Sequence, residues 1–266
     1  MSQDIKTLRN RIKSVDSTMH LTKAMGLVAS SKIRRATENM MHGREYRAAL
    51  DKTMAALTAC AECHKSPYMQ NRGANRNRII VVAGDKGMAG GYNANIFRFM
   101  KDYSDAEIIA IGKRACDRYD KPFCSSEHFE TQKAYDIASQ QCDDFANGNF
   151  DALYVVSTKY ISALSQVPII TQLLPLVKST EKQNSVIFEP DELEILNSVV
   201  KEYVAGVLAA LVRESFASEV AARRAAMDSA DKNAGEMLES LRLSYNRARQ
   251  GAITQEITEI VAGSGI

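Results

Sequence analysis

RIKSVDSTMHLTKAMGLVASSKIRRA, residues 11–36, lies inside a proline-free run from residue 3 to residue 58, and its spacing decides the fold. Around it, Leu8, Ile12, Val15, Met19, Thr22, Gly26, Ala29, Ile33, Ala36, Met40, Gly43, Arg47, Leu50, Met54 and Leu57 recur at alternating steps of three and four. Eleven of those fifteen are apolar, and a seven-residue repeat held over about seven heptads predicts a coiled-coil helix. At 1.5 Å per residue such a helix would be roughly 80 Å long, more than one compact domain can cover. It must protrude or be wrapped by other chains.

The other end of the chain carries a matching pattern. Glu189-Pro190-Asp191-Glu192 places proline at an expected first helical turn, with carboxylates suited to the helix dipole, and no further proline occurs before about Val261. Leu193, Leu196, Val200, Tyr203 and Val207 form one stripe. After a shift of register near 211–216, a second runs through Val220, Met227, Ala234, Leu241 and Ala248, interrupted at Arg224 and Asp231.

Between these helices the period changes. The segments 78–83, 107–111 (EIIAI), 152–157 (ALYVVS) and 167–174 (VPIITQLL) are short and rich in Val and Ile, with helical stretches between the earlier ones. That alternation predicts a small α/β domain with a largely parallel sheet. HKSPYMQNRGANRN, residues 64–77, and KSTEKQNSVIF, residues 178–188, read as the connecting segments. The predicted fold class is therefore α/β: N- and C-terminal helices paired as a long antiparallel coiled coil, with an inserted Rossmann-like domain. The expected parts are an N-terminal coiled-coil helix at 1–63, the α/β domain at 78–180 and a C-terminal coiled-coil helix at 190–266. Pattern alone fits an ordinary scaffold or tether as well as a shaft.

Composition narrows the classes. With 266 residues, 45% hydrophobic content and a longest apolar run of only Tyr203–Val212, the sequence predicts no membrane span. MSQDIKTLRN has no apolar signal region, so residence in a cytosolic compartment is expected. Residues 1–57 carry eleven Lys and Arg against five Asp and Glu, on a chain of net charge only +2. That basic segment suggests an acidic partner surface. Its cations are spread around a coiled-coil stripe without interleaved aromatics, which argues against nucleic acid as the partner.

GDKGMAGGYN, residues 84–93, follows a strand and precedes a helix, which is the setting of a phosphate cradle. The spacing fails both nucleotide fingerprints: Lys86 precedes the second glycine with no Ser or Thr after it, and the glycines run G-x-x-G-x-x-G. Tight turning and close helix packing are the expected use of these glycines. CAECH, residues 60–64, spells a haem-attachment motif, but without an export signal passive thiols are expected, with a redox or metal-binding pair as the alternative. His20, His42, His64 and His128 show no metal spacing, and no catalytic grouping emerges.

YNRARQGAITQEITEIV, residues 245–261, closely resembles the C-terminal signature of the gamma subunit of the F-type ATP synthase. The stretch at residues 11–36, with its Lys-Ala-Met, Val-Ala and Ser-Lys-Ile-Arg-Arg, is similar to that family's opening. SEVAARRAAM, residues 218–227, and GDKGMAGGYN match it in place and order. The resemblance implies a noncatalytic central rotor whose paired helices pass through a ring of alpha and beta subunits. It implies an α/β domain near epsilon and the membrane c-ring, a peripheral position at the cytoplasmic face of a bacterial plasma membrane, and no cofactor, metal or directly bound nucleotide. By the same resemblance, Met25 lies against a beta-subunit lever and Arg223 faces a beta catch loop. Arg249 and Gln250 meet another catch loop, and Thr254 and Glu256 serve coupling near the shaft tip. Two positions depart from the family: Gly26 stands where it commonly has Glu, and Gly251 where it commonly has Ala. Each is expected to cost about 1 kcal/mol of helix propensity relative to Ala, and Gly26→Glu is expected to be tolerated in assembly. Two other classes stay open on residues alone, a small nucleotide-binding enzyme built on the α/β domain and a self-associating scaffold.

Overall fold

Residues Ser2–Ala59 form one unbroken helix, α1, where the heptad register predicts it. In the computed structural model, which describes residues 2–73, 76–179 and 188–263, it is followed by β1 (Asn77–Val82), α2 (Tyr92–Phe99), β2 (Glu107–Ile111), α3 (Lys113–Tyr119), α4 (Thr131–Ala146), β3 (Ala152–Tyr160), β4 (Gln166–Leu174) and α5 (Glu192–Gly263). The strands lie in the order β2-β1-β3-β4. β1 pairs in parallel with β2 and β3, and β4 closes the edge antiparallel to β3. Pro168, opposite Thr158, is tolerated because β4 is an edge strand and needs no donor on its open side.

These elements divide into two compact units, Ser31–Arg223 and the pair Met1–Ser30 with Arg224–Ile266, so each long helix contributes to both. In the first unit, alternate residues of β1 face opposite layers. Ile80 and Val82 pack with α4 and α5 residues, including Ala138, Phe145, Leu196, Val200 and Leu208. Ile79 and Val81 pack with Tyr92, Ile96 and Ala115 of α2 and α3. The segments of α1 and α5 in this unit run antiparallel: Gly43 meets Ala210, Gly206 meets Tyr46 and Leu50, and the Tyr203 hydroxyl donates to Asp51 at 3.0 Å. A Cβ on Gly206 would lie 2.9 Å from the Tyr46 ring, so only glycine permits that approach. Residues 204–212 are all buried. A helix covered on every side has no polar stripe, and just beyond this run buried Glu214 and Ser215 interrupt the apolar positions, so the sequence loses its register near 211–216. The same burial accounts for the apolarity of α5, whose best 18-residue window has a mean hydropathy of 1.6 and is 61% buried inside the protein.

The second unit holds the heptad register as expected. Thr22, Gly26 and Ala29 are the buried positions of α1, and Met227 and Leu238 those of α5. Half-buried Ala234, Leu241, Tyr245, Ala248 and Ala252 extend the α5 stripe at steps of three and four. Gly26 packs on Met227, where an added Cβ would find ordinary contact at 3.5 Å, with the Asp228 carboxylate at 3.9 Å. Alanine fits there, and a glutamate would have to pass Asp228.

Two local expectations change. The 64–77 segment is not a plain linker: 3₁₀ helices at Glu62–Lys65 and Pro67–Met69 dock it, with Tyr68 buried and stacked on Phe145 at 6.4 Å. Pro190 lies just outside α5, and Asp191 caps it, its carboxylate accepting the Glu194 N–H at 2.8 Å. Within the polar 178–188 segment, residues 180–187 lie outside the described residues, as do Ala74 and Asn75 of the 64–77 segment.

Candidate functional site

The glycine-rich loop leaves the carboxyl end of β1 beside the β1/β3 switch point, where doubly wound sheets commonly seat ligands. Here protein groups fill that place. A Cβ on Gly84 would stand 2.7 Å from the Glu219 carboxylate, so the glycine makes room for a side chain 135 positions away in the sequence. Glu219 is buried and ion-paired with Arg223, whose guanidinium also donates to the Lys86 and Gly87 carbonyls at 3.3 Å. Burial pushes the Glu219 carboxyl above its ordinary range, with Arg223 opposing the shift. The Gly84 N–H is taken by Asn93 Oδ1 at 2.9 Å. A phosphate placed at this loop would meet a carboxylate.

A second carboxylate organises the far side of the loop. Asp85 accepts N–H groups of Lys113, Ser126 and Glu127 at 3.0 Å and the Ser125 hydroxyl at 2.6 Å. Burial alone would raise its carboxyl; the Ser125 hydroxyl and the backbone donors outweigh burial and hold it below the usual range. Gly112, at φ +92°, faces the Ala83 carbonyl where any Cβ would overlap. The loop is thus a rigid joint between sheet and helix.

Along α5 the joint continues as a polar seam. Ser215 Oγ accepts the Thr158 N–H at 2.9 Å, Ser218 Oγ donates to the Thr158 carbonyl at 3.4 Å, and the Tyr92 hydroxyl donates to the Ser215 carbonyl at 2.9 Å. Glu214 accepts the Tyr160 N–H at 3.0 Å and Arg44 at 2.7 Å, and Arg44 also donates to the Tyr160 carbonyl. Backbone groups of β3 beyond the end of its pairing with β1, which stops at Val156, find their partners here, which fixes the rotation of α5 against the sheet.

The cysteines of CAECH are packed thiols. Cys63 is fully buried and donates to the Glu192 carbonyl at 3.3 Å. Burial first, then the neighbouring Cys60 and Glu192, pushes its thiol up to about 11, and Cys60 is raised as well. Raised thiols are poor nucleophiles at neutral pH. Among the described residues no group of three His, Cys, Asp or Glu side chains could hold a metal.

The residues expected to meet partners fall in different settings. Arg223 is only 12% exposed, with its donors used inside the chain. Met25 is half-buried beside the Gly26–Met227 contact, whereas Arg249, Gln250, Thr254 and Glu256 are exposed on α5. Met227 and Arg249 are 22 residues apart, about 33 Å along a helix, so Met25 and the later group are separate places. The Thr254 hydroxyl donates back to the Gln250 carbonyl at 2.9 Å, which ties its side chain to the helix. From 253 to 263 every residue is exposed, and Ile253, Ile257 and Ile260 lie on one face, 45%, 57% and 71% exposed. Spacing of i, i+4 and i+7 marks an apolar stripe built to be covered.

Comparison with known proteins agrees along the whole chain. A family model described as ATP synthase matches residues 4–265. The ATP synthase gamma chain of Ruminococcus albus is 39% identical over 98% of both chains. The chain belongs to the ATP synthase gamma-chain family. A further family member, from Acetobacterium woodii, is 33% identical over 99% of both chains and is described as sodium ion specific. The fold matches a chain from the central stalk and c-ring of the Tetrahymena thermophila mitochondrial ATP synthase, with a TM-score of 0.64 and 23% identity over 79% of this chain and 99% of that one.

For this gamma-family chain, residue patterns alone missed Glu219, Asp85 and the Ile253, Ile257 and Ile260 stripe. The i, i+4 spacing of Glu219 and Arg223 is the visible signal of their pair. The isoleucines share a heptad-like spacing that resemblance to the C-terminal signature had already absorbed.

Proposed function

We propose that this chain is the noncatalytic central rotor of an F-type ATP synthase, coupling ion-driven rotation of a membrane c-ring to conformational change at alpha and beta catalytic sites. The observation that carries it is the match to gamma chains over 98% of its length, together with the ATP synthase family model over residues 4–265. Family membership brings the stalk role; this chain's geometry suits it. Coupling needs an element that makes different contacts with each state it selects. The exposed end of α5, one-sided in its apolar stripe, can do that as it turns within a ring. In this reading Arg249, Gln250, Thr254 and Glu256 contact the ring near the tip, and Met25 contacts a beta lever. Arg223 acts on its beta loop through the glycine loop it holds. The α/β domain faces epsilon and the c-ring, placing the chain peripherally at the membrane on the cytoplasmic side.

The test is co-expression with alpha and beta from the same genome, followed by size exclusion and an ATPase assay, with Arg249→Ala/Gln250→Ala in parallel. Co-elution with the ring, with steady turnover that the double variant weakens, supports the rotor and those contacts. A chain that elutes alone beside a ring indifferent to it overturns the proposal.

A further inference from the structure

Away from the exposed tip, in the unit Ser31–Arg223, a cavity of about 400 Å³ opens between one face of α1 and the loop carrying Glu127 and His128, with Phe216 in its wall. Lys32, Arg35 and Asn39 line its α1 side, at spacings that put them on one helix face. Lys32 and Lys86 both pair with the Glu127 carboxylate. Arg35 is exposed and makes no ion pair among the described residues. Two lysines therefore share one carboxylate, and Arg35 adds a further positive charge at the same concavity.

The Glu127 carboxyl does not hold a proton that could spare its charge. Burial favours the neutral acid, but Lys32 first and then Lys86 outweigh it and keep the group below the ordinary carboxylate range. With that anion already shared by two ammonium groups, the unspent donors are the Arg35 guanidinium, the Asn39 amide and the His128 imidazole, all exposed at the cavity. A guanidinium fork beside an ammonium suits the tetrahedral oxygens of phosphate, and charge-assisted hydrogen bonds of this kind are the strong ones. Ala36 and Phe216 supply an apolar floor and wall.

We propose that this cavity is an oxyanion site that takes a phosphate dianion, free or as the terminal phosphoryl group of a nucleotide, with Arg35 as its principal ligand and Lys32 and Asn39 assisting. The glycine loop does not compete for the same ligand, because Glu219 fills the space beside Gly84. A cavity of this size, walled by one face of α1, two loop residues and Phe216 of α5, admits a chemical group in preference to a peptide segment, since a helix alone is about 10 Å across.

The test is calorimetric titration of the full chain with inorganic phosphate and with ADP, at ionic strength held constant with chloride. Saturable binding is expected, weakened about tenfold or more in Arg35→Ala, which loses the fork. Glu127→Gln removes the competing carboxylate and is expected to tighten binding. Thermal melts of both variants check that each folds. Equal affinity for phosphate and ADP identifies the free anion as the ligand; tighter ADP binding with the same Arg35 dependence identifies a carried phosphoryl group. Non-saturating titration, binding unchanged by Arg35→Ala in a folded variant, or binding of an acidic peptide without binding of phosphate overturns the proposal.

Discussion

The unit Ser31–Arg223 and the unit built from Met1–Ser30 with Arg224–Ile266 use the same two helices in opposite ways. In the first, residues 204–212 of α5 are buried on every side. In the second, residues 253–263 of the same helix are exposed on every side, isoleucines included. Burying a leucine or isoleucine contributes about 1.5–3 kcal/mol, so the first unit draws its stability from within the chain. The second leaves apolar surface for another molecule to cover.

Paired substitutions break or sharpen this contrast. Leu208→Ala, at a fully buried site, is expected to lower unfolding stability by about 3 kcal/mol. Leu243→Ala, at a site 56% exposed, is expected to stay within about 0.5 kcal/mol. Chemical denaturation of the isolated chain reads both, and equal losses would erase the distinction.

The glycine loop gives a sharper test inside the first unit. Gly84→Ala drives a Cβ into the Glu219 carboxylate and is expected to cost about 1–3 kcal/mol. In a Glu219→Ala background the same change should cost much less, because the obstructing group is gone. Additive effects in that double-mutant cycle would mean the two side chains do not compete for one space.

A smaller effect with a pH signature is expected at Asp85. Asp85→Asn removes the charge that four donors address and is expected to cost about 1–2 kcal/mol near neutral pH. The Asp85 carboxyl lies below its ordinary value, so the wild-type advantage is present above the unfolded value and lost as pH falls through the folded one. Denaturation profiles from neutral to acid pH should converge for the two proteins; a constant gap would assign the loss to something other than ionisation.

Much of this architecture was legible in the residues, for physical reasons that differ by region. Thr22, Gly26 and Ala29 follow the predicted heptad because one face of a two-helix packing is buried and the other wet. The four strands stood out because β1 and β3 are Val- and Ile-rich and bounded by turns. The run at 204–212 defeated periodicity, since burial on all sides leaves no alternation to count. Tyr68 was hidden in a segment polar enough to pass for a linker. Glu219 was invisible as the occupant of the Gly84 space because that contact joins residues 135 positions apart, and local spacing carries no record of such a meeting. The likeness to gamma chains located the exposed residues Arg249, Gln250, Thr254 and Glu256, but it could not show that Arg223 is engaged within the chain.

Amide hydrogen exchange on the full chain, alone and assembled with alpha and beta, tests the central contrast most directly. Residues 204–212 should be strongly protected in both samples, while residues 251–263 should exchange fast in the free chain and slow markedly on assembly. Tip amides that exchange equally fast in both samples, or a 204–212 segment no better protected than the tip, would contradict this account.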